Sequence, residues 1–188
     1  MNLFITFAGE NQRRDAMIEL TLTRHGETLE NQQHILQGQL PGTLSPLGIE
    51  QARKLAEKLK NERVDAVVCS DLARSRETAE VIASFHELEP EATPLLREMD
   101  WGVYTGQQLD DVNWSDLPDS VESVDELFNR AAAFIRYLKT YHEGKRIVAV
   151  GHGAFNRAIA TYLQGKKAME MTELPIMENT ACILFQIL

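Results

Sequence analysis

The chain has 188 residues, 44% of them apolar and 25% charged, with a formal net charge of −9. That length buries a substantial core as one domain without disulfide or metal staples. The acidic balance excludes wholesale nucleic-acid binding, which wants a basic face, and any anionic ligand must be drawn by a local cluster of cations. No stretch approaches the ~20 apolar residues needed to span a bilayer. The run Leu3-Phe4-Ile5-Thr6-Phe7-Ala8 is too short for a secretory leader and lacks its basic flank. These features read as a cytoplasmic protein with neither a membrane nor a nucleic-acid partner. Cys69 and Cys182 stand in separate apolar runs and are expected as buried free thiols.

Residues 1–16 form an extension of uncertain kind, although 3–7 fit a short strand, and 17–188 read as a single domain. Ile18, Leu20 and Leu22 alternate with Glu19, Thr21 and Thr23, the period of a strand, which runs straight into Arg24-His25-Gly26. An irregular stretch punctuated by Gly38, Pro41 and Gly42 follows. Ser45 as N-cap and Pro46 at the first helical position then open a helix, with Ile49, Ala52, Leu55, Ala56 and Leu59 on its apolar face. Residues 64–69 read as a strand buried on both faces, because Ala66, Val67 and Val68 are continuous. It ends in Ser70-Asp71-Leu72-Ala73-Arg74, and a helix with Ala79, Ile82 and Ala83 inward ends near Phe85. Asp71 is expected to cap that helix.

Residues 92–96 are a weaker strand, placed near an edge by Pro94. Residues 97–113 read as a loop rich in acids and aromatics. A helix over 123–142 repeats Leu127, Ala131, Phe134, Ile135 and Leu138 and closes at Gly144. Ile147 to Val150 forms an apolar strand running into Gly151-His152-Gly153, with a helix over 154–163 and a last strand over 180–188. The alternation predicts an α/β fold, three layers α/β/α, with helices on both faces of a mostly parallel sheet.

Three buried strands therefore end in Arg24-His25-Gly26, Ser70 to Arg74, and Gly151-His152-Gly153. In a parallel sheet these ends share one edge, the edge where open α/β sheets bind ligands. Gly26 and Gly153 there permit close backbone approach. Two histidines and two arginines in one crevice suit a small doubly charged anion, since arginine forks match phosphate oxygens. The N–H groups opening the helices after Arg74 and His152 are expected to add to that anion site. The bland alternative at the first block is a solvated surface turn. Two histidines could instead hold a metal, but the flanking arginines repel a cation, and no metal is expected. His34, His86 and His142 are expected to be solvated. Arg76 and Arg97 read as surface partners for Glu80 or similar acids, and Arg130 as a solvated or salt-bridged position.

The blocks Leu22-Thr-Arg-His-Gly-Glu-Thr28 with Asn31, Gln37-Gly38 and Ser45-Pro-Leu-Gly48 come first in a colinear series. Ser70-Asp-Leu-Ala-Arg-Ser-Arg-Glu-Thr-Ala79, Leu96-Arg-Glu-Met-Asp-Trp-Gly102 with Gly106, and Val150-Gly-His-Gly153 continue it. Together they resemble the RHG signature of the histidine phosphatase superfamily, the phosphoglycerate-mutase-like proteins, over residues 17–188. The resemblance implies that His25 is a nucleophile that becomes phosphorylated. It implies that Arg24, Arg74 and His152 hold phosphoryl oxygens, that Glu98 protonates the leaving oxygen, and that Asn31 lines the pocket. Trp101 and Tyr104 either wall the pocket or pack the loop. Asp100, Glu27 and Asp71 are rivals to Glu98.

The expected activity is hydrolysis of a small phosphorylated metabolite through a phosphohistidine, without cofactor. The alternatives are phosphoryl transfer to a second hydroxyl, as in a mutase, and silent phospho-ligand binding. A mutase must exclude water, and the roughly sixteen residues between Gly106 and Ser123 make a short lid, which favours hydrolysis. A purely binding protein requires neither a nucleophile nor an acid. A homodimer is left open.

Overall fold

The computed structural model describes residues 16–188, so the expected strand over 3–7 lies outside the described residues. Five strands form one sheet in the order β3-β2-β4-β1-β5: β1 is Ile18–Arg24, β2 Ala66–Cys69, β3 Glu91–Ala92, β4 Arg146–Gly151 and β5 Cys182–Ile187. The first four run parallel, and β5 lies antiparallel along β1. The registers Arg24↔Gly151 and Cys69↔Val150 bring the carboxyl ends of β1, β4 and β2 level. Ser70, His25 and His152 follow those ends directly. The chain passes from β1 outward to β2 and β3 before returning to insert β4 between β1 and β2, which makes a topological switch point.

Helices cover both faces. On one face α2 (Pro46–Leu59) and α3 (Ala73–Ser84) pack Leu55, Ala56, Ala79 and Ile82 against Val67, Cys69, Val148 and Val150. On the other, α4 (Val124–Tyr141) and α5 (Gly153–Leu163) pack Leu127, Phe134, Leu138 and Phe155 against Leu20, Leu22, Val68 and Ala149. Burying each such large side chain stabilises the fold by ~2 kcal/mol before entropy is counted. The helix over 46–59 starts as its sequence dictates, with the Ser45 hydroxyl accepting from Gly48 N–H. A capping box of Ser123 and Glu126 opens α4. No helix among the described residues is long and apolar enough to cross a membrane.

Several expectations need correction. The stretch after β1 contains a short helix, α1 (Leu29–Gln32), opened by a capping box between Thr28 and Asn31. The 92–96 region is a two-residue strand followed by a 3-10 turn, Pro94–Leu96, because proline cannot continue the ladder. Ile49 is exposed, since α2 covers β2 and β4 with the Ala52, Leu55 and Ala56 face. Cys182 is exposed on edge strand β5, whereas Cys69 is buried in central β2. His142 is buried rather than solvated, its Nε2 lying 3.3 Å from Glu91 Oε2.

Candidate active site

His25 and His152 leave neighbouring strands and meet with ring centroids 5.1 Å apart. Their environments fix different ring faces. His25 Nδ1 lies 2.7 Å from the Gly26 carbonyl, which can only accept, so Nδ1 carries the proton and Nε2 the lone pair. That lone pair accepts from Arg74 Nε at 3.2 Å. In His152 the other nitrogen is the anchored one. Nε2 shares a 2.6 Å hydrogen bond with Ser70 Oγ, and Nδ1 is buried without a partner.

Both imidazoles are held well below their ordinary pKa, first by burial and then by the Arg74 charge, with Arg24 adding to it. Burial outweighs the arginines here. Both rings are therefore neutral at neutral pH.

Arg74, on the first turn of α3, is 1% exposed. Burial pushes its guanidinium down to about 10, opposed by the Glu98 charge. Its cost is offset by carbonyls: one terminal nitrogen donates to Leu40 and Pro41, the other to Gly38 at 2.8 Å. Gly42, at φ +70°, bends the chain beneath it, and a Cβ there would come 2.8 Å from Arg74 Cδ. Arg74 thus straps the 38–42 loop to the site while its Nε faces His25. Arg24 donates from one terminal nitrogen to the Met177 carbonyl at 2.9 Å, while its Nε is buried without a partner. Burial lowers Arg24, and the nearby Glu98 charge opposes this.

Glu98 sits at the N-terminus of α5. Its Oε1 accepts from Met99 N–H at 2.9 Å and Phe155 N–H at 3.0 Å, and Oε2 accepts from Ala154 N–H at 3.2 Å. The helix end expected to bind an anion is therefore occupied by this carboxylate, a favourable arrangement for an acid at a positive helix end. The opening of α3 is likewise engaged: Arg74 N–H donates to the Pro41 carbonyl and Leu72 N–H to Ser70 Oγ. Asp71 does not cap that helix, which has no side-chain cap, because it pairs with Arg97 instead. Arg76 pairs with Glu80 as expected. Of the rivals to Glu98, Glu27 accepts from Ser45 and Gln32, and Asp100 from Gly102 N–H.

The two glycines serve different ends. Gly26 faces backbone, since a Cβ there would come 2.4 Å from the Gly48 carbonyl oxygen, and its N–H donates to Thr78. The close approach is to Gly48, not to a ligand. At Gly153 a Cβ would lie 3.6 Å from both Arg24 Cζ and Glu98 Oε2, so this is where the cation and the acid converge. Asn31 spends its side chain on the α1 capping box; Asn179, 3.5 Å away, holds the His25 carbonyl at 2.9 Å. Trp101 is half-buried, packs edge-on to Trp114 and lies with Tyr104 against the core. A Cβ on Gly38 would come 3.4 Å from its ring, so Trp101 also abuts the loop that Arg74 straps.

Ser70, Asn179 and Met177 were not assigned roles from sequence. Ser70 was visible as the first residue past β2, but nothing local showed that its hydroxyl faces residue 152. Among the described residues no group of three His, Cys, Asp or Glu side chains is arranged to hold a metal ion.

Comparison with known proteins agrees with this geometry. The family model of the histidine phosphatase superfamily (branch 1) matches residues 20–187. A probable phosphoglycerate mutase GpmB of Proteus mirabilis is 32% identical, over 73% of this chain and 70% of that protein. Among solved structures, a putative alpha-ribazole-5'-P phosphatase from Escherichia coli superposes with TM-score 0.81 at 27% identity, covering 90% of both chains. A mycobacterial glucosyl-3-phosphoglycerate phosphatase gives 0.82 at 25%, again over 90% of both. With paired histidines at the ends of β1 and β4 and a family match spanning nearly the whole described chain, the protein belongs to the histidine phosphatase superfamily.

Proposed function

We propose that this chain is a cytoplasmic, metal-independent phosphatase that hydrolyses a small phosphomonoester through a phosphohistidine at His25. The observation that carries the reading is the His25 ring: a neutral imidazole with Nδ1 pinned to a carbonyl and an Nε2 lone pair that accepts from the Arg74 guanidinium. Splitting phosphoryl transfer through such a nucleophile replaces one hard displacement by two easier ones.

The substrate enters as its monoanion and passes its proton to the Glu98 carboxylate. In the first step Nε2 then attacks phosphorus, the ester P–O bond breaks, and Glu98 gives that proton to the departing alkoxide. As Nε2 becomes bonded to phosphorus, Arg74 Nε–H loses its acceptor and turns to a phosphoryl oxygen. The buried, unpartnered Arg24 Nε and His152 Nδ1 gain oxygen partners at the same moment. Ser70 supports this by donating its O–H to His152 Nε2, which leaves the proton on Nδ1. In the second step the Glu98 carboxylate takes a proton from water, the water oxygen attacks phosphorus, and the N–P bond breaks. Phosphate leaves as its monoanion, carrying that proton away, and both side chains return to their starting states. Phosphoryl transfer asks a protein mainly for such positioning and charge stabilisation.

Hydrolysis is favoured over transfer by the short, exposed segment after Gly106. The two structural neighbours, both named as phosphatases, point the same way. Transfer between hydroxyls is the second reading, favoured by the name of the Proteus relative. The test is turnover of 4-nitrophenyl phosphate, with trapping of base-stable, acid-labile phosphoprotein in a rapid quench. Wild-type protein should show both signals and His25→Ala neither. Undiminished turnover by His25→Ala would remove the nucleophile assignment.

A further inference from the structure

We propose that Arg130, paired with Glu122, is the positioning residue for the acid Glu98, an assignment that rests on the reading of Glu98 above. Three N–H groups hold the Glu98 carboxylate, but they aim it correctly only if the backbone around residue 98 is fixed relative to α5. That backbone belongs to no strand or helix: the Pro94–Leu96 turn ends at Arg97, and the next 3-10 turn begins at Gly102. Its carbonyls therefore lack ladder partners, and they find one guanidinium instead.

One terminal nitrogen of Arg130 donates to the Leu95 carbonyl at 3.2 Å and the Arg97 carbonyl at 2.5 Å, and the other to the Glu98 carbonyl at 3.3 Å. Its remaining edge is forked on Glu122, Nε to Oε1 at 2.9 Å and the terminal nitrogen to Oε2 at 2.7 Å. Glu122 Oε2 also accepts from Asp100 N–H at 3.0 Å, and Glu122 N–H donates to the Asp100 carbonyl at 2.8 Å. The chain is thus tied to this ion pair on both sides of Glu98.

The guanidinium carbon also lies 4.2 Å from the centre of the Phe155 ring, and Phe155 N–H is one of the three donors to the Glu98 carboxylate. One side chain of α4 therefore touches both the backbone that carries the acid and the residue that binds its oxygens. Lysine cannot reproduce this, because a point charge has no planar fork with which to hold three carbonyls and a carboxylate together.

The experiment compares kcat and KM for 4-nitrophenyl phosphate, whose leaving group needs little protonation, with phenyl phosphate, whose leaving group needs more. Arg130→Lys and Glu122→Gln should each lower kcat/KM, which reports the leaving-group step, roughly tenfold more on phenyl phosphate than on the nitrophenyl ester. Neither change should widen that gap further in a Glu98→Gln background. Equal losses on both esters, while Glu98→Gln itself discriminates between them, would overturn the Arg130 assignment alone. If Glu98→Gln does not discriminate, the acid reading and the Arg130 assignment fall together. Should Arg130→Lys not fold, Glu122→Gln, which keeps the hydrogen-bonding shape, decides by the same criterion.

Discussion

The ends of β1 and β4 are written in nearly the same letters, Arg24-His25-Gly26 and Gly151-His152-Gly153, yet they give the two imidazoles opposite orientations. At β1 a backbone carbonyl takes the Nδ1 proton and turns Nε2 toward the cations. At β4 a serine from the third strand end takes Nε2 and leaves Nδ1 facing inward. The difference is made by what stands opposite each ring, not by the local motif. In the proposed mechanism this divides attack from oxygen binding.

Substitution should separate the two rings cleanly. His25→Ala should remove turnover by several orders of magnitude, as loss of a covalent nucleophile does. His152→Ala should cost less, about 3 kcal/mol or ~100-fold in kcat, as for a lost oxyanion donor, and should still form phosphoprotein in a rapid quench. A His152→Ala protein that forms none would merge the two roles. Arg74→Gln should slow the reaction by a comparable ~3 kcal/mol and also lower the melting temperature, because the Gly38, Leu40 and Pro41 carbonyls lose their donor. Retention of the wild-type melting temperature would count against the strap. Ser70→Ala should cost ~1 kcal/mol of rate through His152 orientation, while also freeing the Leu72 N–H at the opening of α3.

The pH profile sharpens the comparison least, but its sign is definite. Both imidazoles titrate well below 6.5 in the folded protein, so kcat/KM should show no histidine ionisation as pH falls through 6.5. The unfolded chain binds protons at these positions near 6.5 while the folded one does not. Folding stability should therefore fall as pH drops below about 6.5, and reach its acid limit only below the depressed folded values. An NMR titration of the His25 ring with its midpoint near 6.5, the signal being assigned by its absence in His25→Ala, would show the ring to be more open than its 2% exposure implies.

β1 and β4 also show what the sequence could and could not convey. The strict alternation in β1 was legible because one face packs on the core, while Glu19 and Thr21 line an open hollow of about 390 Å³ with Lys58 and Leu184. The unbroken apolar run of β4 was equally legible, since it is covered on both faces. The convergence of His25, Arg74 and His152 followed from strand ends and parallel order. The fit of Glu98 into the N-terminus of α5 did not, because residues 98 and 154 are joined by no local signal. For the same reason Asp71 looked like a cap, when its partner Arg97 is remote in sequence. Arg130 makes the salt bridge that was one of its two expected states, with Glu122, but its hold on the Leu95, Arg97 and Glu98 carbonyls had no local signal.

The strand order has a consequence for how the protein is made. β4 is the last of the three site-bearing strands to leave the ribosome, yet it wedges between the first two. Until residue 155 has emerged, the nucleophile faces no second ring and Glu98 has neither Ala154 nor Phe155 to seat it. Chains cut short before that point should be inert.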